Sequence, residues 1–312
     1  MKPFAFVFPG QGSQSVGMLE AWGDHPAVRR TLEEASEALS EDIGRLIREG
    51  PKESLDLTTN TQPVMLTAGI ACLAAWRAEG GPEPVAVAGH SLGEYTALVA
   101  AGALALADAL PLVRYRAQAM QEAVPVGTGA MAAILGLDAA VVRSTCEAVA
   151  AETGAVVSPA NFNDPKQTVI AGAKAAVEAA CEKLKAAGAK RALPLPVSAP
   201  FHCALMKPAA ERLRERLASV VFAAPRMPVV NNIDVAVQSE PAAIREALYR
   251  QAFGPVRWVE VVQALAALGV SHVFECGPGK VLAGLVKRVD GTLASGTVLD
   301  PASLAELKGA LQ

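Results

Sequence analysis

The sequence predicts an α/β fold with two domains, a larger one built on a parallel sheet and a smaller one inserted into it. Two observations predict this arrangement. Short apolar segments such as "FAFVF" and "VAVA" run into glycine-containing turns and then into helical patterns, which is typical of parallel strands covered by helices. From residue 130 to residue 196, strands and helices follow each other in a different order.

The first part of the chain predicts two buried strands. Residues 4–8, "FAFVF", form the first strand and are followed by "PGQGSQ" and several helices. The second strand, "PVAVAG", enters a turn and then two alanine-rich helices. Strands of this kind, buried on both faces, read as continuous apolar runs rather than as alternating ones.

The middle of the chain predicts a small domain of its own. In order, it contains a strand "MAAILGL", a helix "DAAVVRSTCEAVAAE" with Asp138 as its N-cap, strands "AVVSPANF" and "QTVIAG", a helix "AKAAVEAACEKLKAAG" and a strand "KRALPLPV". The order β-α-β-β-α-β is that of a ferredoxin-like unit. We therefore predict a ferredoxin-like small domain at residues 127–196 and a large domain made of residues 1–126 and 197–312, with a ligand site in the cleft between them.

Composition excludes several classes of protein. The chain of 312 residues has 52% hydrophobic and 19% charged residues and a net charge of -3, which does not provide the basic surface that nucleic acid requires. No apolar run reaches the roughly 18 residues of a membrane span, and the N-terminal apolar stretch is too short for a secretory signal. Five scattered cysteines without a CxxC pair predict a reduced cytoplasmic protein with no structural metal.

The turn after the first strand resembles a phosphate-binding loop, but it lacks the required residues. The dinucleotide fingerprint needs a third glycine where this chain has Ser15, and an acidic residue at the end of a second strand. A P-loop is excluded because no Gly-Lys-Ser/Thr sequence occurs. The exposed backbone N–H groups of this loop are better explained as part of an oxyanion hole.

The sequence "GHSLG", residues 89–93, follows the second strand and opens a helix. This context is that of a nucleophile elbow, in which a sharp turn lifts Ser91 clear of the sheet at a helix N-terminus. The large domain is therefore predicted to be α/β-hydrolase-like, with Ser91 as its nucleophile.

A serine nucleophile needs a base, and the chain has four histidines. His90 is adjacent to the serine and should point away from it, whereas His25 lies at a loop-to-helix junction. His272 falls on a predicted strand. His202 follows the exit from the small domain and precedes a helix, which places it at the cleft, so it is the preferred base.

An acid that orients the base is not evident. Asp138 and Asp164 have the required position in the chain, but one is predicted to cap a helix and the other lies in a turn before Pro165. A backbone or amide carbonyl group could fix the imidazole tautomer instead.

Arg116 has two interpretations from its position on the helix "LPLVRYRAQAMQEAVP". It could belong to a solvated helix face together with Arg114. Alternatively, it could be a fixed cation across the cleft, with a guanidinium suited to a substrate carboxylate. The residue pattern leaves both interpretations open.

Together these features resemble the malonyl-CoA:acyl carrier protein transacylases of fatty-acid synthesis and the related acyltransferase domains of polyketide synthases. The resemblance covers essentially the whole chain. It rests on "FVFPGQGSQ", "GHSLGEYTAL", "RAQAMQEAVPVGTGAM", "ANFNDPKQTVIAG", "SAPFHCALMKPA", "PVVNNIDV", "QAFGPVRW" and "FECGPGKVL". Eight ordered matches are far more specific than any one of them.

The resemblance implies a ping-pong acyltransferase and assigns roles to individual residues. Ser91 would be the acylated nucleophile and His202 its general base. The backbone N–H groups of Gln11 and Leu92 would form the oxyanion hole, and Arg116 would hold the free carboxylate of the malonyl group.

Further roles implied by the resemblance concern the surroundings of the nucleophile. The main-chain carbonyl of Gln251 would orient the histidine, while His90 and Asn161 would line the pocket. The substrate would be malonyl-CoA, and the acceptor would be the phosphopantetheine thiol of an acyl carrier protein. No cofactor and no metal are implied.

Two positions bear on specificity. The glycine usual after the arginine is Ala117 here, which adds a methyl group near the carboxylate site. Phe201 precedes His202, and in polyketide acyltransferases a phenylalanine at this place accompanies malonyl selectivity. We therefore expect the Phe201 ring to crowd a 2-methyl group.

Two other functions remain open from the sequence. One is a serine hydrolase, such as a thioesterase, that uses Ser91 with His272 and Asp234. The other is a catalytically idle module that binds a carrier protein.

A carrier protein is acidic, so its docking to this acidic chain requires a local basic rim. Lys190-Arg191 and Lys287-Arg288 are the candidate pairs, with ordinary solvated charges as the alternative.

Overall fold

A computed structural model describes residues 2–197 and 199–312 of the chain. Met1, which opens the predicted large domain, and Ser198, which opens the stretch containing His202, lie outside the described residues. Strands follow the chain as β1 (Phe4–Phe8), β2 (Ala86–Gly89), β3 (Gly129–Leu135), β4 (Val157–Asp164), β5 (Gln167–Ala173), β6 (Arg191–Pro194), β7 (Val229–Val230), β8 (His272–Cys276) and β9 (Ala294–Val298).

Helices separate most of these strands. They are α1 (Pro26–Leu39), α2 (Ile43–Glu49), α3 (Lys52–Leu55), α4 (Thr58–Ala78), α5 (Gly93–Ala100), α6 (Leu106–Glu122), α7 (Ala139–Thr153), α8 (Lys174–Ala186), α9 (Lys207–Ala218), α10 (Pro241–Phe253), α11 (Trp258–Ala267), α12 (Val281–Val289) and α13 (Pro301–Ala310). In the described ranges, none of these helices combines the length and the apolar character needed to cross a bilayer.

The larger sheet has five parallel strands in the order β7-β2-β1-β8-β9. Consecutive side chains of β1 point to opposite faces. Phe4 and Phe6 pack against Trp76 of α4 on one face, whereas Ala5 and Val7 join a second buried cluster with α11 and α12 on the other. The sheet is therefore buried on both faces, and the predicted α/β class with a parallel sheet is confirmed.

The smaller sheet has four antiparallel strands in the order β4-β5-β3-β6. With α7 and α8 the chain order is β-α-β-β-α-β, as in ferredoxin-like units. The two helices cover one face of this sheet through residues such as Val142, Ile170 and Leu184. The exact domain boundaries at 126/127 and 196/197 stay predictions.

Two details of the small domain differ from the sequence-based expectation. The last strand, expected over 190–197, ends at Pro194, because Pro194 and Pro196 lack the N–H that would continue the hydrogen-bond ladder. Asp138 occupies the N-cap position of α7, but its carboxylate makes no capping hydrogen bond. It forms an ion pair with Lys166 instead.

Strand β4 of the smaller sheet is bonded directly to the loop before α11 and to α12. The backbone N–H of Phe162 donates to the Val256 carbonyl, and the Val256 N–H donates to Ala160, each over 2.9 Å. Arg288 Nε of α12 also donates to Asp164 Oδ2 of β4 over 2.7 Å. These contacts fix strand β4 against the loops at the carboxyl edge of the parallel sheet, where the site is formed.

Candidate active site

Ser91 lies in the turn between β2 and α5, at the carboxyl edge of the parallel sheet. Its φ angle is 53°, a left-handed conformation that strains a non-glycine residue and is typical of functional turns. A Cβ atom on Gly89 would lie 1.8 Å from the Gly93 carbonyl oxygen, and one on Gly93 would lie 2.0 Å from that of Phe8. The sharp turn therefore requires both glycines of "GHSLG".

His202 brings its Nε2 to 2.7 Å from Ser91 Oγ. Its Nδ1 faces the main-chain carbonyl oxygens of Gln251 at 2.9 Å and Gly254 at 3.2 Å. A carbonyl oxygen only accepts hydrogen bonds, so Nδ1 carries the proton and the neutral ring accepts the Ser91 hydroxyl proton at Nε2.

The protonation state of His202 follows from its surroundings. Burial, together with the positive charge of Arg116, lowers the pKa of His202 to about 3. The ring is therefore neutral near pH 7 and can accept a proton. Neither candidate acid contacts it, because Asp138 pairs with Lys166 and Asp164 with Arg288.

Arg116 belongs to the cleft, not to a solvated face. Its side chain is 1% exposed. Nη1 donates to Gln62 Oε1 over 2.8 Å, and Nη2 donates to Gln251 Oε1 over 3.1 Å and to Ser91 Oγ over 3.2 Å. All of these partners are neutral, and within the described ranges no Asp or Glu forms an ion pair with this guanidinium.

A buried, unpaired cation is costly to maintain. Burial lowers the pKa of Arg116 from its usual range, but an arginine stays protonated in proteins. The guanidinium also lies 5.4 Å from the centre of the Tyr95 ring, which favours a cation. The site is therefore prepared for an anionic group next to Ser91.

Two backbone N–H groups remain available beside Ser91. Across the described part of the chain, neither the Gln11 nor the Leu92 amide donates a hydrogen bond. The Gln11 side chain is held by Thr58 through a 3.1 Å hydrogen bond. Gly10 permits close approach of this loop, since a Cβ atom there would lie 2.7 Å from the His90 carbonyl oxygen.

A cavity of about 640 Å³ opens onto Ser91, a size suited to a small-molecule ligand. Met120 and Met131 contribute apolar wall, whereas Lys52 and Asp56 also line the cavity. Eight of the residues predicted from the sequence line it: Gln11, His90, Ser91, Leu92, Arg116, Asn161, Phe201 and His202. Gln251 is fully buried and reaches the site through the contacts described above.

His90 and Asn161 contact the small domain or belong to it. His90 Nε2 lies 2.8 Å from Asn163 Oδ1 on β4, and burial lowers the pKa of His90. Asn161, also on β4, forms a backbone bridge with Val256. The turn that carries Ser91, residues 89–93, which we call the nucleophile turn after its predicted role, therefore contacts the small domain directly.

The structure does not bring His272 to Ser91. His272 pairs with Phe4 at the start of the sheet, whereas Gly89, just before the serine, pairs with Phe8 at its end. Four residues of strand separate these levels by about 13 Å. Asp234 is held by Arg250 over 2.6 Å, so the hydrolase arrangement with His272 and Asp234 is wrong.

Several polar residues at the site were not predicted. Asn232 Oδ1 accepts from the Ser91 N–H over 2.7 Å, and its Nδ2 donates to the Gly89 carbonyl over 2.7 Å. Gln62 and Glu94 are also buried here. Asn232 follows β7 at the carboxyl edge of the sheet, where ligand sites collect, and it lies in "PVVNNIDV", one of the stretches that carry the family resemblance.

Comparison with known proteins agrees with this geometry. The acyl transferase domain family matches residues 5–308. The malonyl CoA-acyl carrier protein transacylase of Salmonella typhimurium is 56% identical over 306 residues, which cover 98% of each chain.

Solved structures have the same fold. The acyl-carrier-protein S-malonyltransferase from Burkholderia pseudomallei 1710b has a TM-score of 0.97 at 66% identity, covering 98% of this chain and 99% of that one. A malonyl-transacylase in complex with a type II PKS acyl-carrier protein has a TM-score of 0.96 at 50% identity, covering 99% of each chain. This chain belongs to the family of malonyl CoA-acyl carrier protein transacylases.

Proposed function

We propose that the chain transfers the malonyl group of malonyl-CoA to the phosphopantetheine thiol of an acyl carrier protein through a malonyl-serine intermediate. The choice of malonyl as the acyl group rests on one observation. The Arg116 guanidinium is buried without a carboxylate partner in the described ranges and lies 3.2 Å from Ser91 Oγ. A fixed cation at that place selects an acyl group with a free carboxylate.

In the first half-reaction, Ser91 Oγ attacks the thioester carbonyl carbon while its proton passes to His202 Nε2. The tetrahedral oxyanion would accept hydrogen bonds from the Gln11 and Leu92 amides. Losing one donor of this kind typically costs about 3 kcal/mol of transition-state stabilisation. When the C–S bond breaks, His202 returns the proton to the CoA thiolate.

The second half-reaction reverses these proton movements. The carrier-protein thiol gives its proton to His202 and attacks the malonyl ester, and Ser91 leaves with that proton. The reaction needs no cofactor bound by this chain, because the partner brings the pantetheine arm. The 2.7 Å contact between His202 and Ser91 favours this reaction over an idle binding module.

Substrate binding would also adjust the base. The Arg116 charge helps to keep the pKa of His202 low. A malonyl carboxylate bound to Arg116 would balance this charge and raise the His202 pKa towards the range in which a general base works well. The Phe201 ring lines the cavity beside His202, and we propose that it disfavours a 2-methyl group.

We further propose a basic docking rim for the acidic carrier protein and a cytoplasmic location. Lys190, Arg191 and Lys287 are exposed, whereas Arg288 also binds Asp164. The five cysteines are free and buried, as is usual in a reducing compartment.

The decisive experiment is the intact mass of the protein after incubation with malonyl-CoA. We expect a single malonyl adduct in the native protein and none in Ser91→Ala. Arg116→Ala should slow malonylation by about a hundredfold or more, since it removes a charge-assisted contact. The rate of acetylation from acetyl-CoA should change much less in the same variant. An adduct that persists in Ser91→Ala would contradict the proposal.

A further inference from the structure

Glu94 is a buried carboxyl group that the mechanism above does not use. It lies in the first turn of α5, three residues after Ser91, and is 2% exposed. In the described ranges no lysine or arginine forms an ion pair with it. The charge of Arg116 acts on Glu94 without a direct contact, so hydrogen bonds are what offset the burial of this carboxyl group.

One oxygen of Glu94 accepts two hydrogen bonds. Oε2 accepts from Gln251 Nε2 over 2.9 Å and from the Asn232 backbone N–H over 2.9 Å. Both donors belong to residues that hold the nucleophile turn. Gln251 Nε2 also donates to the Ser91 carbonyl over 3.0 Å, and Asn232 Oδ1 accepts from the Ser91 N–H over 2.7 Å.

These contacts fix the orientation of the Gln251 amide. Its NH2 group faces two acceptors, Glu94 Oε2 and the Ser91 carbonyl. The opposite end, Oε1, therefore faces Arg116 Nη2 at 3.1 Å. A flipped amide would place its NH2 group against the guanidinium and its oxygen against two other oxygens, which is unfavourable on both sides.

We propose that Glu94 is a positioning residue for the malonyl carboxylate, because it holds the Gln251 amide in the orientation that keeps the Arg116 guanidinium beside Ser91 Oγ. Glu94 acts as an acceptor at a fixed distance and touches neither substrate nor the reacting atoms. This inference rests on the proposed malonyl transfer.

The test compares Glu94→Met, which fills the volume without a comparable acceptor, with Glu94→Gln, which keeps an oxygen at the same distance. The rates of acyl-Ser91 formation from malonyl-CoA and from acetyl-CoA are followed by intact mass. Arg116 can pair only with the malonyl group. We therefore expect the malonyl-to-acetyl rate ratio to fall tenfold or more in Glu94→Met and to stay within about threefold of the native ratio in Glu94→Gln.

A second variant guards against loss of folding. Glu94→Asp keeps the carboxyl group but withdraws its oxygen by one methylene, so the ratio should fall here too. A general structural defect would slow acylation from both donors equally and leave the ratio unchanged. That result in both Glu94→Met and Glu94→Asp would overturn this inference but not the proposed function. Absence of a malonyl adduct on native Ser91 would overturn the proposed function, and this inference with it.

Discussion

His202, the proposed base, is oriented without a neighbouring carboxylate. Two main-chain carbonyl oxygens, from Gln251 and Gly254, hold its Nδ1–H and orient the ring. They add no full negative charge, so burial and the Arg116 cation determine the protonation state. The lone pair on Nε2 stays available to Ser91 before substrate binds.

We expect the His202 ring to remain neutral in the free protein from about pH 8 down to about pH 5, because its pKa is lowered to about 3. The measurement is the ring C–H chemical shift of histidine-labelled protein across this range, with His202→Asn to assign the signal. Arg116→Met should raise the pKa of His202, since the cation disfavours protonation. A native His202 signal that titrates near pH 6.5 would contradict this account.

At the scale of single elements, the nucleophile turn could be predicted because its determinants are local. Gly89, Ser91 and Gly93 lie within five residues, and backbone geometry alone requires the glycines. The residues that support this turn could not be predicted. Asn232 lies in the family-like stretch "PVVNNIDV", but its contact with Ser91 spans 141 positions of sequence, and no local pattern predicts such a contact.

Helix α12 carries two neighbouring basic residues with different roles. Lys287 has no partner in the described part of the chain, whereas Arg288 holds Asp164, which is 6% exposed. Lys287→Glu should raise the KM for the carrier protein about threefold or more at low salt, with unchanged melting temperature. Arg288→Glu should also lower stability, by about 1–2 kcal/mol, because it leaves the Asp164 carboxylate facing a negative charge.

The measurement for α12 is carrier-protein kinetics together with thermal unfolding. The first half-reaction with malonyl-CoA is the control, since docking of the carrier protein does not affect it. Simultaneous charge reversal at Lys287, Lys190 and Arg191 that leaves the carrier KM unchanged would rule out a basic rim at these positions.

For the whole molecule, the order of strands and helices could be predicted because periodicity and turn residues are local signals. The attachment of β4 to the loop before α11 could not be predicted from the sequence. It depends on Val256, which hydrogen-bonds to β4 and follows closely on Gly254, whose carbonyl faces His202. Nothing in "QAFGPVRW" indicates an edge contact of this kind, because backbone pairing carries no residue-specific signal.

The pH dependence of stability is also a property of the whole molecule, and Glu275 contributes to it. This fully buried carboxyl group accepts the Ala283 N–H at the start of α12 over 2.9 Å, and its other oxygen has no partner in the described ranges. Burial raises the pKa of Glu275 to about 7. A raised pKa means that the folded state binds the proton more tightly, so stability is lost as the pH rises towards and through 7.

Glu275→Gln should remove this dependence, because the amide has nearly the same shape and never ionises. Between pH 5 and pH 8 the native protein should lose about 2 kcal/mol of its free energy of unfolding through Glu275, and the variant should not. The variant should therefore be more stable relative to the native protein at pH 8 than at pH 5, by that amount. Urea unfolding at the two pH values measures it, with the exposed Glu306→Gln as the matched control. An equal difference at both pH values would mean that Glu275 is already ionised at pH 5 in the folded protein.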